Sequence, residues 1–193
     1  MKEKIILASN SPRRSELLKS CDINFEVISH KFDESSLNLK NPVKFAEVSS
    51  FSKAKSLSVL PELSGRYILG VDTIVVYKDK ILGKPADKNE ARKFVNMMSG
   101  GSNTVISGIT LMNQRKNISI TRHSKSKVSF QRFSDSFIKY YLDNNHFEGY
   151  AGGYAIQGIF SLVINKITGS YTNIVGLPME ILYEMLTDLE LYP

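Results

Sequence analysis

Cysteine is nearly missing: Cys21 is alone among 193 residues. An intrachain disulfide is therefore excluded, and a structural zinc site is disfavoured. Cys21 follows the apolar pair Leu17-Leu18, so a buried, inert thiol is expected. Tryptophan is absent, although ten Phe and nine Tyr supply large side chains for a core. The three histidines, His30, His123 and His146, lack metal-ligand spacing. No GxxxxGK(S/T) loop occurs, which leaves a P-loop NTPase without support. No stretch approaches the roughly 20 apolar residues of a membrane span, and Ile5 to Ala8 is too short for a signal h-region. These features fit a reducing cytoplasm and argue against a membrane partner. With no internal repeat and no low-complexity linker, the chain reads as one domain over residues 1–193.

What is present is an ordinary globular balance, 42% hydrophobic and 23% charged, with a formal net charge of +6. That charge favours an anionic partner, and by itself leaves nucleotide, nucleic acid and lipid headgroup open. Short apolar runs alternate with helix-period segments, the pattern of an α/β fold. Ile5 to Ala8 reads as a buried strand, followed by a turn and a helix opened by Pro12, with Ser11 as its N-cap. Phe25 to Ile28 is a second strand, and Pro42 opens a second helix. Tyr67 to Val76 is the strongest strand signal, with a hairpin tip at Lys78-Asp79-Lys80. Asp87 caps a third helix that ends at Ser99-Gly100-Gly101. Long strands are expected at Thr104 to Met112 and Ile118 to Phe130, then a helix from Ser134. A Gly-rich turn (149–158), a strand around Phe160 to Ile164 and a helix from about Pro178 to Leu189 complete the chain.

Three places carry chemistry. The strand-turn-helix SNSPRR offers a helix N-terminus, a ready anion site. Arg13 and Arg14 oppose the helix dipole there, so a docked polyphosphate would repay the repulsion; solvent exposure or pairing with Glu16 and Asp22 is the plainer reading. Asp72, inside the apolar run GVDTIVV, must be paired, metal-bound or facing a cleft. A carboxylate there suits phosphoanhydride hydrolysis, as a metal ligand or a water-orienting base, and suits structural capping equally. Glu34, Lys84 and Lys53 are polar residues whose default is a solvated face, and the Gln157 amide could read a base edge or close a turn. These residues alone point to an α/β phosphate-handling protein and no further.

The ordered motif set says more. LASNSPRR, Asp33-Glu34-Ser35, Lys53-Ala54, GVDTIVV, GKP, MMSGG, AGGYAIQG and GSYTNIVGLPMEILYEML resemble the Maf family signatures, in order, from about residue 5 to residue 186. The resemblance implies an inosine-triphosphatase-like fold: a mixed twisted β-sheet flanked by helices, with two lobes around a cleft. It implies hydrolysis of nucleoside triphosphates between the α- and β-phosphates, aided by a divalent cation, Mg²⁺ or Mn²⁺. Asp72 matches the proton acceptor. Ser11, Arg13, Arg14, Thr73 and Gln157 match substrate-binding or specificity positions. Glu34, Lys53 and Lys84 match polar residues around metal and phosphates, with Glu34 and Asp72 as the metal ligands. Asp72-Thr73-Ile74 and Ile156-Gln157-Gly158 resemble the branch that prefers dTTP and UTP, with modified pyrimidine nucleotides as further candidates. Two departures stand out: Ser102-Asn103 where many relatives carry Thr-His, and Tyr150 where many carry a lysine.

Two alternatives remain at this level. One is a 7-methyl-GTP pyrophosphatase of the same fold, against which Thr73 and Gln157 argue. The other is a non-catalytic nucleotide- or RNA-binding regulator of cell division. The basic run Arg122 to Lys127 permits it, but its alternation with small polar residues fits a solvated edge strand better and argues against nucleic acid. A homodimer is implied only by family analogy.

Overall fold

The computed structural model describes residues 3–192; Met1, Lys2 and Pro193, which the single-domain reading includes, lie outside them. The elements run β1 (Ile5–Ala8), α1 (Pro12–Ser20), β2 (Phe25–Val27), α2 (Pro42–Ser58), β3 (Ile68–Tyr77), β4 (Lys80–Leu82), α3 (Lys88–Met98), β5 (Ser102–Asn113), β6 (Ile118–Phe130), α4 (Asp135–Asp143), β7 (Ile164–Thr168), α5 (Tyr171–Val175) and α6 (Met179–Asp188). The strands form one seven-stranded sheet of order β2-β1-β3-β5-β6-β7, with β4 also paired to β3. β1 is parallel to β2 and β3, and the other pairings are antiparallel. This is the mixed sheet flanked by helices that the motif order implied.

β3 organises the molecule because it is buried on both faces, and its alternation assigns each face a different cover. Leu69 and Val71 belong to a core with Ile5, Leu7, Leu18, Ile109, Leu111 and the α6 residues Leu182, Met185 and Leu186. Val75, on the same face, belongs to a second core with α3, α4 and the aromatic group Phe130, Phe133, Tyr141, Tyr154 and Phe160. The opposite face, Ile68, Ile74 and Val76, packs under α2. Two apolar cores thus flank a seam, and the polar pair Asp72-Thr73 lies on it. The opposing residues on β5 are Gly108 and Ser107.

Helix α2 lies unusually close to the sheet. A Cβ added to Gly70 would stand 2.1 Å from the Ser50 carbonyl oxygen, and one on Gly108 would stand 2.1 Å from that of Ala46. Both contacts are with backbone, so only glycine lets the helix settle there.

Several local expectations need correcting. Ser11 occupies the N-cap of α1, but its side chain makes no capping bond. Cys21 is exposed rather than buried: Leu18 is the last core-facing residue of α1, and the chain turns at Asp22 with φ 52°. The strand expected around Phe160 to Ile164 is a 3₁₀ segment over Gly158–Val163, and β7 begins only at Ile164. Phe160 and Val163 are buried three residues apart, the repeat of a 3₁₀ helix rather than of a strand. The basic stretch of β6 does form an open edge, since β7 pairs with β6 only from Lys127 to Phe130.

Candidate active site

A cavity of about 650 Å³ opens at the seam between the two cores. Its position follows from strand lengths. β1 accompanies β3 as far as the pair Ala8–Gly70. β4 takes up the same edge from the pair Leu82–Val75. Between them Val71, Asp72, Thr73 and Ile74 have no strand neighbour on that side, while β5 holds the other. The chain leaving β1 crosses the gap as Ser9-Asn10-Ser11, which delivers the N-terminus of α1 to the cavity wall. The turn around Tyr150 and the loop of Gly83-Lys84 supply the facing wall.

Asp72 is 4% exposed and belongs to the α2 face of β3. Seating α2 on Gly70 brings Lys53, itself 2% exposed, to 2.8 Å from Asp72 Oδ1. The same ammonium lies 2.6 Å from Glu34 Oε1 and 3.3 Å from the Val71 carbonyl. Its three N–H groups are thereby taken. Lys53 does not stand on a solvated face; it is a buried clamp that ties the Glu34 loop to the central strand. Oδ2 of Asp72 is buried and has no hydrogen-bond partner. Such an oxygen is costly unless it meets a ligand, a cation or a water.

The two arginines of α1 divide their tasks. Arg14 donates through Nε to the Gly176 carbonyl at 2.8 Å, through Nη1 to Ser9 Oγ at 2.7 Å and through Nη2 to Thr73 Oγ1 at 3.2 Å. Thr73 in turn donates to the Gly176 carbonyl at 3.1 Å and shares a 2.8 Å hydrogen bond with Ser107. Arg14 therefore staples β1, β3 and the end of α5 together, and among the described residues neither it nor Arg13 is paired with Glu16 or Asp22. Burial pulls the Arg14 guanidinium below its ordinary value; Asp72 opposes the shift and Arg13 reinforces it. An arginine remains a cation regardless. Arg13 differs: its Cζ lies over the Tyr150 ring, 4.5 Å from the centroid, and its buried Nε has no partner.

Ser11, Lys84 and Gln157 also line the cavity, the last two exposed. All the candidate residues read from the motifs therefore converge on one place, with Thr73 and Lys53 committed to internal bonds. Four basic side chains, Arg13, Arg14, Lys53 and Lys84, face the two carboxylates, so the cavity is net positive. No motif signal pointed to His30, another lining residue with an unpartnered Nδ1. Burial, reinforced by the Lys53 ammonium, pulls its imidazole below the ordinary value against the pull of Glu34. Ser9 and the Gly176 carbonyl were equally silent, because their role is to hold Arg14.

Among the described residues no group of three or more His, Cys, Asp or Glu side chains could hold a metal ion. The partnerless Asp72 Oδ2 and the half-exposed Glu34 nevertheless suit Mg²⁺, which is commonly held by one or two carboxylates, with waters and substrate phosphates completing its shell. No described helix is long and apolar enough to cross a membrane.

The family model for Maf-like proteins matches residues 4–189. A protein of Syntrophus aciditrophicus called dTTP/UTP pyrophosphatase is 38% identical over 97% of this chain and 90% of its own length. One of Treponema denticola with the same name is 42% identical over 98% of each chain. Among solved structures, a nucleoside-triphosphatase / dITP/XTP pyrophosphatase of Mycobacterium abscessus is similar over 96% of this chain and 94% of the other, at 15% identity and a TM-score of 0.45.

Proposed function

The chain belongs to the Maf family, and on that premise we propose that it hydrolyses dTTP and UTP to the nucleoside monophosphate and pyrophosphate as one Maf-like domain. The supporting observation is the buried Asp72 carboxylate, with one oxygen fixed by Lys53 and the other partnerless, at the floor of a net-positive cavity. The polyphosphate would lie against the N-terminus of α1, where free backbone N–H groups, Arg13 and Lys84 neutralise its oxygens. Asp72 Oδ2 would orient a water toward the α–β phosphoanhydride and accept its proton. Lys53 keeps Oδ1 in place, so one oxygen of the carboxylate remains available. Glu34 and Asp72 would hold a divalent cation, Mg²⁺ or Mn²⁺; when bound it supplies neutralisation of the charge developing on the phosphates. Gln157 and Ser11, which also line the cavity, would read base and sugar.

The test is pyrophosphate release from dTTP, UTP, CTP, GTP, ATP and 7-methyl-GTP with Mg²⁺ or Mn²⁺. Turnover of dTTP and UTP should be abolished by EDTA and by Asp72→Asn, with the variant still folded by circular dichroism. Silence across the panel would sink the proposal, and release from 7-methyl-GTP alone would move the protein to a different specificity.

A further inference from the structure

Tyr150 stands on a turn that is fixed at both ends. Its carbonyl accepts from the Gly153 N–H at 2.9 Å, and the Gly152 N–H donates to the Gly83 carbonyl at 2.8 Å. Gly152, with φ 69°, packs so closely on Val75 that an added Cβ would lie 2.9 Å from its side chain. The ring is therefore carried by backbone anchored to β3 and to the Lys84 loop. Across the cavity, Arg13 occupies the second position of α1, where a cation gains nothing from the helix dipole. The ion pairs of the cavity run through Lys53, and Arg13 has the Tyr150 ring instead of a carboxylate. The difference is chemical. A carboxylate would cancel the guanidinium charge and occupy its in-plane donors. A ring attracts the cation through its quadrupole and leaves both the charge and the donors uncommitted. The Nε of Arg13, buried and without a partner, is one donor that the ring contact leaves uncommitted.

We propose that Tyr150 is a positioning residue for polyphosphate recognition: its ring holds Arg13 at the cavity wall without neutralising it, so that the guanidinium meets phosphate oxygens already oriented. This rests on the reading of the cavity as a triphosphate site, and it concerns a residue that reaches the ligand only through Arg13. Preorganisation of this kind acts by sparing the ordering of a long side chain on binding. It also accounts for how the cavity remains phosphate-competent with an uncharged residue at position 150.

Calorimetric titration with inorganic pyrophosphate tests it without requiring turnover, using wild type, Tyr150→Phe, Tyr150→Leu, Arg13→Ala and the Arg13→Ala/Tyr150→Leu double variant. Tyr150→Leu should weaken pyrophosphate binding roughly tenfold, as expected for loss of a partly desolvated cation–π contact. Tyr150→Phe, which keeps the ring, should stay within about twofold of wild type. On the Arg13→Ala background Tyr150→Leu should cause no further loss, because the ring then has no cation to hold. Equal losses on both backgrounds would make the ring an independent contact and overturn the proposal, as would full-strength binding by Tyr150→Leu or no binding by wild type. Thermal melting of each variant separates misfolding from lost recognition. If the triphosphate panel is silent while this pattern holds, the hydrolytic reading fails and the Tyr150–Arg13 assignment stands.

Discussion

Replacing Gly70 by alanine probes how the cavity is assembled without touching a group that contacts substrate. The added Cβ would fall 2.1 Å from the Ser50 carbonyl oxygen and 2.8 Å from the Ala54 nitrogen, the two ends of the helical turn that carries Lys53. Ordinary contact begins near 3.4 Å, so α2 must retreat by about 1 Å, since close-packed interiors have no slack to absorb the overlap. No unusual backbone angle is involved, and the strain is purely steric. Overpacking of this kind typically destabilises by about 1–3 kcal/mol. For a chain of this size, about 2 kcal/mol corresponds to a melting temperature lower by about 4–8 °C. The larger effect should be on rate. Lys53 would draw back from Asp72 Oδ1 and from Glu34, and misplacement by about 1 Å can lower turnover by about a hundredfold. Thermal melting and kcat for dTTP are read on the same preparation. A Gly70→Ala protein with wild-type melting and wild-type kcat would refute the reasoning that glycine seats α2 and α2 seats the clamp.

Two other expectations follow, one from the Lys53 clamp and one from the α3–α4 contact. Lys53→Met removes the cation from a carboxylate that is 4% exposed, so urea unfolding should show a loss of about 3–5 kcal/mol; adding Asp72→Asn should recover part of it, and no recovery would count against the buried pair. At the α3–α4 contact, hydrogen bonds from Lys139 and then Lys88 pull the Asp143 carboxyl down to about 2. A depressed carboxylate stabilises above its unfolded value and loses that contribution as pH falls through its folded one. The melting difference between wild type and Asp143→Asn should therefore be present at pH 7, shrink between about pH 4 and pH 2, and fall in high salt; a difference that persists at pH 2 would refute the pairing.

How much of this was legible beforehand depended on whether the signal was local. Pro12 and Pro42 at helix starts, Asp87 as a cap accepting from the Glu90 N–H, and the hairpin at Lys78-Asp79 were all local, and all stand where expected. The motif residues converge on one cavity because the gap beside the middle of β3 brings together the N-terminus of α1, the middle of α2 and the segments that carry Glu34, Lys84 and Gln157. What could not be read was which polar groups are already spent. Lys53 is buried because Gly70 and Gly108, on other elements, let α2 approach. The Thr73 hydroxyl is committed by a carbonyl 103 residues away. Arg13 and Arg14 are adjacent and chemically identical, yet one is a staple and the other is free to bind, a difference set by Ser9, Gly176 and Tyr150 together.

The gap in β3 has a consequence for how the protein behaves among other chains. Unpaired strand backbone is normally an invitation to a foreign strand, and proteins guard their outer edges for that reason. Here the unpaired stretch is internal, stopped by β1 at one end and by β4 at the other. Four residues at about 3.3 Å each leave a window of roughly 13 Å, shorter than an average strand of about 5–6 residues. A small anionic ligand fits within such a window and an intruding β-strand does not, so the same two strand ends that open the cavity also protect it from aggregation.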